Sequence, residues 1–137
     1  MIKRVLCLDT KLAHACCDIT NPFGFANNLV DWLAVKYQIE SGSAVMFVDE
    51  QSSGALNGFL VGDVGPSQAQ IDALFVDKNF HRCGVGTALL NAYEDYMHSC
   101  GVVKIKLIPR WTDSVRKFYA KCGYKRIGMD WYLQKSL

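Results

Sequence analysis

Residues 81–87 read His-Arg-Cys-Gly-Val-Gly-Thr, with two glycines and no acid, directly ahead of a run of helical periodicity. The backbone N–H groups of a helix's first turn have no intrahelical acceptor, and the helix dipole adds partial positive charge there. Glycine lets the backbone close on a ligand, so the stretch suits a phosphate-bearing anion at the helix start.

Two common nucleotide motifs fail on these residues. A P-loop ends in Gly-Lys-Ser/Thr, and Cys-Gly-Val-Gly-Thr-Ala contains no lysine. A dinucleotide fingerprint needs a third small residue at position 89, which is Leu89, and an acidic ribose ligand at the end of a following parallel strand, which is missing. His14, Cys16 and Cys17 do not converge on a helix of period 3.6, and there is no CxxC spacing, so no metal is expected.

The elements that must carry the loop follow from periodicity. A strand is expected over residues 2–8, then a short helix containing Lys-Leu-Ala-His-Ala-Cys-Cys. A turn at Thr-Asn-Pro-Phe-Gly-Phe precedes a helix from Phe25 to about Glu40, with Phe25, Leu29, Trp32, Leu33 and Tyr37 at helical spacing. Strands at 43–50 and 54–63 flank a Gln-Ser-Ser-Gly loop, and residues 69–77 form a strand that turns fully apolar, as central strands do. The helix after Gly84 points Val85, Leu89, Ala92, Tyr93, Tyr96, Met97 and Cys100 inward and Asn91, Glu94, Asp95 and His98 outward. Val103, Ile105 and Leu107 then alternate on a strand face. A last helix runs from the N-cap Thr112 to the stop at Gly123, and Ile127, Met129, Trp131 and Leu133 form one face of a closing strand. The order predicts an α/β (α+β) domain: one mixed, mostly antiparallel sheet flanked by helices, and one domain over residues 1–137.

Composition narrows the setting. No run of about 18 apolar residues is present, which argues against a membrane span. A soluble, cytoplasmic chain is expected, its six cysteines reduced and mostly buried. Residues 1–100 hold 6 Lys/Arg against 11 Asp/Glu, whereas residues 101–137 hold 9 against 2. The basic third faces either solvent or an anionic ligand.

The stretch Ile-Asp-Ala-Leu-Phe-Val-Asp-Lys-Asn-Phe-His-Arg-Cys-Gly-Val-Gly-Thr-Ala-Leu-Leu, followed about thirty residues later by Ser-Val-Arg-Lys-Phe-Tyr-Ala-Lys-Cys-Gly-Tyr-Lys-Arg-Ile-Gly, resembles the acetyl-CoA-binding core of the GNAT superfamily of N-acetyltransferases. The likeness runs from Ile71 to Gly128. Two positions depart from the common pattern: His81 replaces an Arg or Gln, and Thr112 replaces an Asn. The resemblance implies that the backbone of Leu74, Phe75 and Val76 binds the pantetheine arm. It implies also that His81, Arg82, Cys83, Gly84, Val85, Gly86 and Thr87 cradle the pyrophosphate, with Thr112 and Ser114 as further contacts. Tyr119 matches the tyrosine that protonates the departing thiolate, and Asp72 stands near the point where an acid often serves as base, with Gln70 two residues earlier on the same face.

The implied reaction is acetyl transfer from acetyl-CoA directly to a primary amine of a small molecule or peptide. A lysine-like amine has a pKa near 10.4, about three units from neutrality, so presenting it neutral at pH 7 costs roughly 4 kcal/mol, and a carboxylate or ordered water helps. Asp18, Phe23, Phe25 and the Asp130-Trp131-Tyr132 run are candidates for holding a cationic acceptor. The alternative is an acyl-CoA-binding sensor without turnover. Acetyl-CoA and an amine are the implied partners, with a homodimer left open and neither nucleic acid nor membrane expected.

Overall fold

The computed structural model describes residues 1–20, 29–110 and 112–137. Strand β1 (Ile2–Val5) leads to α1 (Thr10–Thr20) and α2 (Leu29–Ser41). The strands β2 (Ala44–Glu50), β3 (Leu56–Asp63) and β4 (Gln68–Val76) follow, then α3 (Val85–Ser99), β5 (Lys104–Leu107), α4 (Asp113–Lys121), β6 (Lys125–Arg126) and β7 (Leu133–Ser136). The seven strands of the described residues form one sheet in the order β1-β2-β3-β4-β5-β7-β6, antiparallel except for β4 beside β5. A parallel pair needs a crossover, and α3 supplies it.

Each sheet face has its own core. On one, α1 and α2 cover Met46, Val48, Phe59 and Val61, with Cys16 and Ile19 contributed by α1. On the other, α3 and α4 cover Val45, Phe47, Leu60, Ile71, Ile105 and Leu107 through Leu89, Leu90, Tyr93, Met97 and Tyr119. Two features of this frame shape the site. The pairing of β3 with β4 jumps from Val61↔Ala73 to Gly62↔Ile71, so Asp72 is the extra residue of a β-bulge. Parallel pairing of β4 with β5 covers only Gln68–Ile71, because β5 ends two residues ahead of Pro109, which has no N–H to give a ladder.

Several sequence expectations are corrected. The closing strand is two strands, β6 and β7, antiparallel to each other; Gly128 turns with φ 59°, and the Arg126 guanidinium donates to the carbonyls of Asp130 (2.9 Å) and Met129 (3.3 Å). Ile127, Met129 and Trp131 therefore lie exposed in the connection while Leu133 is buried. Val102, not Val103, enters the core, since β5 begins only at Lys104. The thiols are not mostly buried: Cys16 and Cys17 are, but Cys7, Cys83 and Cys100 are exposed and Cys122 is intermediate. Cys100 misses the core because it is the C-cap of α3. Glu94, expected outward, is buried. The first strand stops at Val5, and the Phe25 end of the second helix falls outside the described residues. Among the described residues no helix is long and apolar enough to cross a membrane.

Candidate active site at the fork of β4 and β5

The loop between β4 and α3 is shaped by its own side chains. Asp77 Oδ1 accepts from the Asn79 N–H at 2.9 Å, starting a single 3-10 turn at Lys78–Phe80. His81 Nε2 lies 2.9 Å from the Val76 carbonyl. A carbonyl only accepts, so this nitrogen carries the proton, and the imidazole ties the loop to the end of β4. Arg82 has φ 64°, the one non-glycine in the left-handed region among the described residues, and Gly84 follows at φ 82°. A left-handed residue other than glycine costs roughly 1 kcal/mol, which the surrounding loop must offset.

Helix α3 begins without a side-chain cap. The starts of α1 and α4 are served, by Asp9 Oδ1 at the Leu12 N–H (2.8 Å) and by Thr112 Oγ1 at the Val115 N–H (3.4 Å). In α3 the first helical bond runs from the Ala88 N–H to the Gly84 carbonyl at 3.0 Å, so the N–H groups of Val85, Gly86 and Thr87 have no helical acceptor. Gly86 is buried, and a Cβ there would lie 3.0 Å from Phe118 Cζ and 3.6 Å from Val76 Cγ2. The end of β4, the start of α3 and the middle of α4 thus converge on Gly86. Burial raises the pKa of the Cys122 thiol, and the nearby Thr87 hydroxyl partly offsets this.

Beyond Ile71 strand β4 has no partner on the β5 side among the described residues. The Asp77 N–H donates to the Asn57 carbonyl at 2.7 Å, and the Phe75 carbonyl lies 2.8 Å from where a Gly58 Cβ would sit, so Phe75 turns its main chain towards β3. By the alternation of an antiparallel ladder, Leu74 and Val76 turn theirs to the open side. Of the three residues expected to offer backbone groups, two face the fork. The Phe75 ring instead stacks on Phe59 (centroids 5.6 Å apart), within the core under α1 and α2.

Tyr119 lies on the α3 side. Its ring is buried between Phe118 and Tyr124, with centroids at 5.1 and 5.7 Å. Its hydroxyl makes no hydrogen bond among the described residues, and no side-chain oxygen there is both enclosed and unbonded, so the oxygen reaches solvent. Burial, with Cys122 nearby, pushes its pKa well up and keeps it protonated at neutral pH. Thr112 and Ser114 sit together, their hydroxyls 3.5 Å apart, with Thr112 engaged as the α4 cap.

Asp72 lies on the opposite side, in an open cleft of about 410 Å³ lined by Trp32, Val35, Gln38, Val61 and Ala73. Alternation from Ile71 places it there, and the bulge keeps Ala73 on the same side while Leu74 returns to the α3 side. Partial burial, and then the Asp63 carboxylate, raise its pKa above the ordinary carboxylate value. Tyr119 and Asp72 are therefore on different sheet faces, and the gap beside Leu74 and Val76 lies between them. Asp63 itself accepts from the Gln70 N–H at 2.6 Å, and the Tyr93 hydroxyl donates to the Asp63 carbonyl at 2.8 Å, bracing the bulge.

Trp32, Gln38 and Asp63 escaped sequence reasoning. Trp32 and Gln38 lie on a helix whose apolar spacing does not mark its buried side, since Leu33 and Tyr37 are exposed while Val35 and Ile39 pack inward, and Asp63 acts through a bulge that periodicity does not mark. Of the suggested acceptor contacts, Asp18 is exposed on α1, Tyr132 has Lys106 Nζ 5.7 Å from its ring centroid, and Phe23 and Phe25 lie outside the described residues. No group of three or more His, Cys, Asp or Glu able to hold a metal occurs among the described residues.

Residues 13–124 match the model of the acetyltransferase (GNAT) family. No curated protein matches the chain in sequence. Among solved structures, the fold is similar to that of PaiA N-acetyltransferase from Thermoplasma acidophilum in complex with coenzyme A, at 16% identity and TM-score 0.80 over 100% of this chain and 99% of that one. The ribosomal-protein-S18-alanine N-acetyltransferase from Escherichia coli is similar at 17% identity and TM-score 0.80, over 99% of this chain and 94% of that one. An aminoglycoside 6'-N-acetyltransferase complexed with coenzyme A is similar at 18% identity and TM-score 0.75, over 99% and 96%.

Proposed function

The chain belongs to the acetyltransferase (GNAT) family, and we propose that it uses acetyl-CoA to acetylate a primary amine of a small molecule or peptide by direct transfer. One observation carries the reading: the unpaired edge of β4 runs into the uncapped start of α3. A pantetheine arm lies along β4 as an added strand on the main-chain groups of Leu74 and the N–H of Val76, whose carbonyl His81 holds, and the N–H groups at Val85–Thr87 take the pyrophosphate with the helix dipole behind them. The solved PaiA and aminoglycoside 6'-N-acetyltransferase structures contain coenzyme A, which supports this choice of donor.

Attack of a neutral amine on the thioester carbonyl forms the C–N bond and places negative charge on the carbonyl oxygen. A main-chain N–H near Leu74, aimed into the fork, stabilises that charge. Asp72 takes the amine proton from the α2 side, directly or through water, and its raised pKa brings it closer to that of the amine than an ordinary carboxylate. Collapse breaks the C–S bond, and Tyr119 gives its proton to the thiolate from the α3 side. The cleft beside Asp72 and Trp32 receives the acceptor.

The test is free-thiol release from acetyl-CoA against a panel of amines, alongside calorimetric binding of CoA. Amine-dependent release is expected. Binding without release across a broad panel favours an acyl-CoA sensor, and absence of binding removes the assignment of residues 81–87.

A further inference from the structure

Glu94 lies in the middle of α3 between Tyr93 and the Met97 turn, all of them buried, where an isolated carboxylate is costly. Both of its oxygens are used. The Tyr124 hydroxyl donates to Oε2 at 2.9 Å, and Lys135 Nζ donates to Oε1 at 2.8 Å. The three residues come from α3, the turn after α4, and β7, so the network locks those elements together. Replacing such a trio by an apolar one of similar volume is often neutral or stabilising, since paired buried charges seldom improve on well-packed hydrocarbon. The network therefore calls for an explanation beyond stability.

What it holds is the neighbour of Tyr119. Gly123 reverses the chain at φ 92°, the Tyr124 N–H bonds the Tyr119 carbonyl at 3.0 Å, and the Tyr124 ring returns edge-on against the Tyr119 ring, 5.7 Å between centroids. The Tyr119 hydroxyl has no hydrogen bond among the described residues to hold it, so the packing of its ring sets where its oxygen lies. On one side that packing is Phe118, which is seated on Gly86; on the other it is Tyr124, anchored through its hydroxyl to Glu94. We propose that Glu94 is a positioning residue: it fixes Tyr124, and Tyr124 fixes the hydroxyl of Tyr119 for proton transfer to the leaving thiolate. The proposal rests on the reading of Tyr119 as the acid.

The test is a double-mutant cycle on the full chain with acetyl-CoA and an accepted amine. Tyr124→Phe deletes the anchor and keeps the ring. It is expected to lower kcat by about 10-fold, the scale of a sub-ångström misplacement of a reacting group, with the KM for acetyl-CoA within about twofold. In the Tyr119→Phe background the same change is expected to cost nothing further. Equal losses in both backgrounds would overturn the positioning role while leaving Tyr119 as the acid. A silent Tyr119→Phe would instead sink the acid reading, and the positioning role with it. Glu94→Gln, which keeps an oxygen to accept from Tyr124, should retain most of kcat, whereas Glu94→Leu should match Tyr124→Phe. If Tyr124→Phe folds poorly, the contrast between the two Glu94 variants carries the decision, and indistinguishable kcat values for them would overturn the proposal.

Discussion

Tyr119 pairs a buried ring with a hydroxyl that reaches solvent, and its raised pKa means that it is always a donor at neutral pH and never a base. Tyr119→Phe removes only that proton, so kcat is expected to fall by about 100-fold with CoA affinity nearly unchanged, read by steady-state kinetics and calorimetry. An unchanged kcat would take Tyr119 out of the reaction. Asp72 supplies a prediction with two signs. As a base it works only when ionised, so kcat/KM should rise with pH through its elevated pKa, and Asp72→Asn should flatten that limb. The same shift acts oppositely on the fold. A carboxyl whose folded pKa lies above its unfolded value of about 3.9 destabilises the folded state once ionised, and this penalty vanishes as pH falls below both values. Asp72→Asn should therefore raise Tm slightly at pH 7 and leave it unchanged near pH 3, while activity falls. A lowered Tm at pH 7 would show that Asp72 has a stabilising partner that outweighs its partial burial and the Asp63 carboxylate.

At the level of elements, the site depends on two interruptions of regular structure, the bulge in β4 and the uncapped start of α3. Only the second was legible in the sequence. Glycines at 84 and 86 ahead of a helix pattern reveal an exposed helix start without any tertiary knowledge, and the Thr112 cap of α4 was equally plain. The bulge was not, because Ile71 and Leu74 both face α3 while periodicity of two separates them. The closing hairpin was missed for a related reason: Ile127, Met129 and Trp131 mimic a strand face, and a turn held by one arginine has no apolar signature. A charge on a helix normally faces outward, and nothing local marks Glu94 as an exception, because its partners lie 30 and 41 positions away in sequence. The bulge can be probed through Gly62, opposite it. A Cβ at Gly62 would come within 2.6 Å of Cε1, Cζ and Oη of the fully buried Tyr93. A ring that braces β3 and β4 has nowhere to go, so Gly62→Ala should cost about 1–3 kcal/mol by urea denaturation and reduce turnover through Asp72. An unchanged urea midpoint would mean that Tyr93 does not clamp the strands there.

On the scale of the whole molecule, the sheet consists of two ladders that share a short parallel seam at Gln68–Ile71. The β1–β4 ladder carries the cleft with Asp72, and the β5–β7–β6 ladder, with α4, carries Tyr119 and most of the basic residues of positions 101–137. A ligand lying in the fork completes a sheet that the chain alone leaves open, touching β4, α3 and α4 at once. Because it binds the folded state and not the unfolded one, it stabilises the whole protein, by about 2.7 kcal/mol at 100 times its Kd, or on the order of 10 °C in Tm for a chain of this size. The two halves of the contact separate by choice of ligand. Pantetheine offers only the arm that extends β4, whereas CoA adds the pyrophosphate for the start of α3. In thermal unfolding at matched concentrations, CoA should raise Tm far more than pantetheine, and the excess should shrink as salt rises, since it is electrostatic at a partly exposed helix end. Equal shifts from the two ligands would mean that the uncapped N–H groups at Val85–Thr87 take no part in binding, and that the glycines of the loop serve the fold alone.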